Sequence, residues 1–345
     1  KLLFLMNQNK IKFNDLKNVI KKFKKLTVHV VGDTIIDTYT RTSFIGGQIK
    51  SPTFSVLFND KQDYVGGAGI VSQHLKAAGA KVLFTTVLGN DELKDFVIKK
   101  LKENGVKIFA KIDSTRPTTN KNTIISKGYR LLKLDNLDNT PISQEILSKI
   151  TGDIKKTKSD CVIFSDFRHG VFNKFTINSL ISSIPKNKFK VADSQVASRW
   201  GNITEFKNFD LITPNEREAR FALADQDSTV GKLSSFLQKK AKCKNLIVKL
   251  GERGLFASSK NSIDSSKYFS IDTFSNKVLD PVGAGDALLA YSSLALLISK
   301  SLLVSSIIGS LAAARECEID GNIPVKYSEV LKKIEEIEKI SGYSE

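Results

Sequence analysis

Hydrophobic positions along the chain repeat with two different periods, and the period changes at well-marked places. Between residues 8 and 25, Ile11, Phe13, Leu16, Val19, Ile20 and Phe23 recur near helical spacing, which predicts an amphipathic helix. Residues 26–31 are a continuous apolar-rich run, as expected of a strand buried on both faces. Residues 38–64 alternate over short runs rich in Thr, Phe, Ser and Val. Turn signals at Gly46-Gly47, Ser51-Pro52 and Asn59-Asp60 predict short antiparallel strands there. Gly66-Gly67-Ala68-Gly69 opens a helix that runs to Ala78 and stops at Gly79. A strand over 81–88 and a helix over 91–104 follow, and strand signals return at 106–112, 122–126 and 129–134.

From residue 140 onward, helices and strands alternate. Helices are expected at 143–157, 173–184 and from about 215, and strands at 160–165, 188–192, 209–212, 245–250 and 277–279. Apolar helices over 284–299 and 302–314 and a charged helix over 327–340 close the chain. Alternation of this kind predicts an α/β fold with a mostly parallel sheet. The segments 38–64 and 106–135 read as a small β lid inserted into that body. The expected organisation is an N-terminal helical extension (1–25), an α/β domain carrying the lid (26–325) and a C-terminal helix (326–345).

Composition narrows the classes. The 345 residues can bury a large core, and 41% hydrophobic content is ordinary for a globular chain. No apolar run reaches the roughly 18 residues of a membrane-spanning helix, and residues 1–6 are too short for a signal peptide. Cys161, Cys243 and Cys317 lie far apart without a paired motif, which fits a reducing cytoplasm and argues against a disulfide framework. His29, His74 and His169 show no ligand spacing. The net charge of +17 raises nucleic-acid binding as a second class. The excess is mostly lysine spread over the whole chain, with one dense cluster at residues 21–25, and no specific nucleic-acid signature accompanies it. Attraction of anionic metabolites is the favoured reading.

The candidate chemistry centres on Asp280-Pro281-Val282-Gly283-Ala284-Gly285-Asp286, at the start of the 284–299 helix. Two glycines let a ligand approach the backbone, and first-turn amides with the helix dipole favour an anion. Asp286 would repel that anion unless it takes a proton from a nucleophile attacking it, as in phosphoryl transfer to a hydroxyl. The same residues would also serve as a plain helix start with a capping aspartate. Asp33 and Asp37, after the first strand, stand where open α/β sheets bind ligands, and hydroxyl groups are natural partners for them. Gly66 and Gly67 suit a hinge or a close approach to substrate. Arg116 and Lys121 lie on a basic turn that could hold an anionic group, or could be a solvated loop. Asn215 and Glu218, three apart at a helix start, suit either Mg²⁺ or a capping box. The turn 251–254 after a strand could cradle a nucleotide.

These motifs resemble the ribokinase/PfkB family of carbohydrate kinases over nearly all of residues 26–325. The resemblance is carried by D-x-x-G-A-G-D at 280–286, N-x-x-E at Asn215 and Glu218, the paired Gly66-Gly67, and Asp37 at a strand end. Residues 115–135 and 31–37 further resemble the kinases of heptose 7-phosphate in ADP-heptose synthesis, which are sometimes fused to a nucleotidyltransferase. The resemblance implies a ribokinase-like three-layer αβα sandwich with a β lid. It implies phosphoryl transfer from ATP with Mg²⁺ to a sugar or sugar phosphate, with K⁺ as a further candidate cofactor. On this basis Asp286 would be the base, with the amides of Gly283, Ala284 and Gly285 receiving the γ-phosphoryl group. Asn215 and Glu218 would organise Mg²⁺. Asp33, Asp37, Gly66, Gly67, Arg116 and Lys121 would meet the sugar, and Asn215, Lys249, Gly251 and Gly254 the nucleotide. A homodimer through the lid is expected. Three positions depart from the family pattern: Ile70 and Val71 where an asparagine is usual, Val282 where threonine is usual, and Thr123 where a basic residue is common. A catalytically silent sugar- or nucleotide-binding regulator of the same fold is the competing reading.

Overall fold

The computed structural model describes residues 1–47, 53–196, 200–260, 263–275 and 278–342. Its main sheet is built on β1 (Thr27–Gly32). On one side β1 pairs in parallel with β4 (Lys81–Leu88), which pairs with β5 (Lys107–Ile112). On the other side run β8 (Cys161–Asp166), β9 (Phe189–Ser194), β10 (Leu211–Ile212) and β11 (Asn245–Lys249), all parallel. Two antiparallel strands, β12 (Leu255–Ser259) and β13 (Tyr268–Ile271), finish that edge. The nine-stranded order is β13-β12-β11-β10-β9-β8-β1-β4-β5.

Successive side chains of a strand point to opposite faces, so a doubly covered sheet should split one strand's residues between two cores. It does. Val28 and Val30 of β1, Cys161 and Ile163 of β8, and Ile247 of β11 join one buried cluster. Val31, Val162, Phe164, Leu246 and Val248 join the other. The first face is covered by α3 (Ala68–Ala77), α9 (Ala284–Ser299), α10 (Leu302–Cys317) and their neighbours, the second by α5 (Gln144–Lys156), α6 (Ile177–Ser183), α7 (Glu216–Leu223) and α8 (Val230–Ala241). α4 (Glu92–Glu103) packs on the first face beside β5.

The helix expected over 8–25 is shorter, α2 (Phe13–Lys21) followed by a 3-10 turn at Phe23–Lys25; a separate helix, α1 (Leu2–Gln8), precedes it across a turn in which Lys10 takes φ +53°. Both helices face the same core, α1 through Leu5 and Met6. Phe13, Leu16 and Ile20 are buried there, and Phe23 meets Tyr291 of α9 edge-on at 6.2 Å. Lys17 pairs with Glu338 of α11 (Tyr327–Ile340) at 2.6 Å. The N-terminal segment is therefore part of the helical layer.

The lid is a second sheet of order β3-β2-β6-β7, formed by β2 (Thr34–Gly47), β3 (Phe54–Gly67), β6 (Asn120–Ser126) and β7 (Tyr129–Asn136). Its first two strands are long rather than short. Asn59-Asp60 is not a turn: Arg41 pairs Asp60 and Thr42 pairs Phe58, leaving Asn59 as a bulge. The turn expected at Ser51-Pro52 lies outside the described residues. Lys107–Ile112, expected in the lid, is instead the edge strand of the main sheet. Of the strand expected at 277–279, Val278 and Leu279 are not in a strand, and residue 277 lies outside the described residues. Strands β12 and β13 and helix α8 were not anticipated.

Candidate functional site

All parallel strands of the main sheet end at one edge, and β1 runs straight into the lid there. This brings Asp33 and Asp37 (β1–β2), Asp193 (β9), Asn215 (after β10) and Lys249 (β11) toward the start of α9.

α9 begins at Gly283, which has φ +86°, a conformation that favours glycine. A Cβ there would overlap Asn322 Oδ1 and approach Glu316 Oε1 at 2.8 Å. The first turn leaves amides without intrahelical acceptors, and the Ala284 N–H reaches the Pro281 carbonyl only at 3.4 Å. Asp286 stands in this first turn, 8% exposed, and its Oδ1 has no hydrogen-bond partner. Burial, followed by the nearby Asp193 carboxylate, pushes its carboxyl up to about 8, against the opposing pull of Lys249. Asp37 and Glu218 also raise it, so the sugar-side and metal-side candidates converge on this group.

Asp33 and Asp37 have different surroundings. Asp33 accepts the backbone N–H groups of Phe167, His169 and Val171 at 3.1–3.3 Å and ties down the loop after β8. The contacts of its carboxylate are thus with the backbone of that loop. Asp37 keeps more freedom: Asn322 donates to its Oδ2 at 3.1 Å, and burial raises its carboxyl. Gly66 is required beside it, because a Cβ would overlap Asp37 Oδ2. Gly67, at φ +60°, would clash with the Asp33 carbonyl at 2.5 Å.

Lys121 is buried directly opposite Asp37 on one side and Asp135 on the other. Burial, helped by Lys133, lowers its ammonium. His169 faces the same two lysines, and burial with their charge pushes it down to about 3. Arg116, expected beside the substrate, is engaged within the chain. Its Nε donates to Asp113 at 2.7 Å, and its other nitrogens donate to the Thr140 and Pro141 carbonyls. The guanidinium holds the chain between the lid and α5.

Asn215 and Glu218 form the capping box of α7. Asn215 Oδ1 accepts the Glu218 N–H at 2.8 Å, and Glu218 accepts the Asn215 N–H at 2.7 Å. Burial pushes Glu218 up to about 7, opposed by Lys249. Among the described residues no cluster of three metal-ligating side chains occurs. Mg²⁺ needs no such cage where other oxygens and water complete its shell; the buried Glu218 carboxylate, with both oxygens held by Asn215, is the one candidate ligand of this pair that carries charge.

A cavity of about 690 Å³ opens at the start of α9, beside Asp286. Asn215, Lys249 and residues 283–286 line its polar part, with Gly251 and Gly254 beside them. Val278, Leu288, Ala313, Ala314 and Cys317 line an apolar part. Gly254, at φ +80°, lies so close to the Ile271 carbonyl that no side chain fits. Four groups escape the sequence pattern: Asp193 beside Lys249, Lys133 beside Lys121, Glu316 and Asn322. Glu316 is buried near Gly283 with both oxygens unpartnered, and burial with Asp286 pushes it up to about 8. Asn322 Oδ1 is likewise unpartnered. A charged residue at the end of an otherwise apolar helix was the available signal for Glu316.

Comparison with known proteins identifies the family and the fold. The profile of the pfkB family carbohydrate kinases matches residues 25–322. The bifunctional protein HldE of Helicobacter hepaticus is 28% identical over 318 residues, covering 90% of this chain and 64% of that protein. Its counterpart in Sulfurimonas denitrificans is 29% identical over 318 residues, covering 90% and 65%. The chain thus spans less than two thirds of the length of these relatives. Phosphofructokinase-2 from Escherichia coli, solved with substrates and products, superposes with a TM-score of 0.74 at 14% identity, covering 90% of this chain and 99% of that one. Arabidopsis thaliana ribokinase, complexed with ribose and ATP, gives 0.70 at 18% identity, covering 90% and 98%. At these identities the two structures establish a shared ribokinase-like fold.

Proposed function

The chain belongs to the pfkB family of carbohydrate kinases, phosphotransferases with an alcohol group as acceptor, and we propose that it phosphorylates a sugar phosphate from ATP. The observation that carries this reading is Asp286: a buried carboxyl with a free oxygen, raised to about 8, in the first turn of a helix whose amides face a nucleotide-sized cavity. A base with that affinity for protons is matched to work near neutral pH.

In the proposed reaction the sugar hydroxyl loses its proton to Asp286 as its oxygen bonds to the γ-phosphorus. The bond between that phosphorus and the β–γ bridging oxygen breaks, and ADP leaves. The amides of Gly283, Ala284 and Gly285 receive the charge that develops on the γ-phosphoryl oxygens. Asp37 orients the acceptor, with Gly66 and Gly67 allowing close approach. Gly251 and Gly254 shape the nucleotide turn. Glu218, oriented by Asn215, would hold Mg²⁺, which neutralises phosphate charge when bound. The unpartnered oxygens of Glu316 and Asn322 around Gly283 would suit a monovalent cation such as K⁺.

Lys121 and Lys133 favour an anionic substrate. Lys121 is opposite Asp37, Lys133 is opposite Thr123, and alternation puts Lys121 and Thr123 on one face of the lid. Two ammonium groups beside the acceptor carboxylate suit a sugar that already bears phosphate. The resemblance of residues 115–135 to heptose 7-phosphate kinases puts that sugar first, in a cytoplasm that supplies ATP. The other face of the lid carries exposed Leu132 and Leu134, and Phe54 and Phe58 of β3 are also exposed. A second copy would cover them, giving a lid-mediated homodimer.

The test is ADP release with a panel of sugars and sugar phosphates, followed by ³¹P NMR of the product. Turnover with a sugar phosphate and little with the free sugar supports the reading. Tight binding of both ligands without product would instead indicate a silent regulator.

A further inference from the structure

Lys249 is buried among groups that should all bear on the same anion. It is the last residue of β11, and its backbone N–H donates to the Pro214 carbonyl at 2.9 Å. Its Nζ lies 3.1 Å and 3.2 Å from the two oxygens of Asp193. Asp193 is buried at the end of β9 and also accepts the Thr213 hydroxyl at 3.2 Å. The carboxylate is therefore held from a second side and fixes the ammonium. The lysine stem runs against Gly285: an added Cβ would sit 3.3 Å from Nζ and 3.7–3.8 Å from Cδ and Cε. Glycine at 285 leaves the room that the lysine occupies.

The result is an ammonium held beneath the first turn of α9. A cation is ordinarily disfavoured at a helix N-terminus, where the dipole is already positive. Asp193 is its only direct partner by distance among the described residues. Glu218 and Asp286 lie close enough to stabilise its charge. Two positive sources, the ammonium and the α9 amides, thus converge on one part of the cavity. Asp286 stands beside it, where the phosphoryl acceptor must be deprotonated.

We propose that Lys249 is a catalytic residue whose ammonium, held by Asp193, contacts the γ-phosphoryl group and stays with it during transfer to the acceptor. This rests on the kinase reading above and goes beyond lining the nucleotide site. Lysine serves phosphates as a compact point charge, and one parked at this position acts on the moving group more than on the α- and β-phosphates. Asp193 is the positioning residue.

The test separates γ-phosphate contact from general nucleotide binding. Calorimetry measures the affinities of Lys249→Met for a non-hydrolysable ATP analogue and for ADP, each with Mg²⁺. The expected result is a loss of about tenfold or more for the ATP analogue and less than about threefold for ADP. kcat should fall by about 10²–10³, the range seen when one transition-state donor is removed. The double variant Lys249→Met/Asp193→Asn removes both charges, and so covers the case where an unpaired Asp193 prevents folding. It should show the same selectivity for the γ-phosphate. Asp193→Asn should lower kcat in the wild-type background but have little further effect on Lys249→Met, because both act through one ammonium. Equal weakening of ATP analogue and ADP, or no weakening, overturns the role of Lys249 while the kinase reading stands. Wild-type protein that binds neither nucleotide overturns the kinase reading itself.

Discussion

Replacing Asp286 with asparagine should abolish turnover and, above pH 5, stabilise the fold. The carboxyl is held from its ordinary 3.8 to about 8 by burial, the Asp193 carboxylate and weaker pressure from Asp37 and Glu218, with Lys249 opposing them. A raised pKa means that the folded state keeps the proton after the unfolded chain has released it. The stabilisation is complete below the unfolded value and is lost progressively as pH rises to about 8. At about 1.4 kcal/mol per unit, the loss reaches on the order of 5 kcal/mol at pH 8 and under about 2 at pH 5. Asparagine has no proton to lose, but its buried amide lacks a partner and costs about 1–3 kcal/mol. The two should nearly cancel at pH 5, leaving a net gain of roughly 2–4 kcal/mol at pH 8. Thermal melts of both proteins from pH 5 to 9 measure this: the gap in Tm should open with pH and flatten above about 8. Wild-type kcat/KM should rise with pH to about 8, and the variant should lose about 10²–10⁴-fold in kcat. Parallel melting curves at all pH values, or a variant keeping more than about a tenth of wild-type turnover, would refute the picture of a strained buried base.

Gly66→Ala forces a methyl group into Asp37 Oδ2, and should raise the KM for the acceptor sugar at least about tenfold, the cost of a misplaced contact, while the KM for ATP holds. Phe13→Ala empties a buried site where α2 joins the main core, and urea unfolding should show a loss of about 3–5 kcal/mol. Phe58→Lys with Leu134→Lys places charge on exposed lid positions. Light scattering should then report half the wild-type mass, with monomer melting little changed. A wild-type protein already monomeric at micromolar concentration would remove the lid dimer.

Much of the fold could be read along the chain, because the pattern is local where the sheet is parallel and covered on both faces. The apolar runs at 26–31 and 160–165 became β1 and β8, and the helix expected over 327–340 has those bounds in α11. What escaped depends on partners. Residues 107–112 alternate much like the lid strands, and only pairing with β4 assigns them to the main sheet. The helix expected over 8–25 is cut back to Phe13–Lys21, because the chain turns at Lys10 between two helices that face one core. Asp33 and Asp37 are the same residue four apart, yet one is bound by three amides and the other is turned toward Asn322.

The site was legible as a set of strand ends, but not as a set of neighbours. Asp193 and Lys249 are 56 residues apart, and their strands are separated by β10 alone. Two strand spacings amount to about 10 Å, which an aspartate and a fully extended lysine can span only if both strands end level. β10 has two residues and gives way at once to Thr213, whose hydroxyl also donates to Asp193. The shortness of this middle strand opens the gap through which the lysine reaches across. Sheet order and strand length, which no local pattern reveals, thus decide which carboxylate anchors the ammonium and where its charge meets the α9 amides.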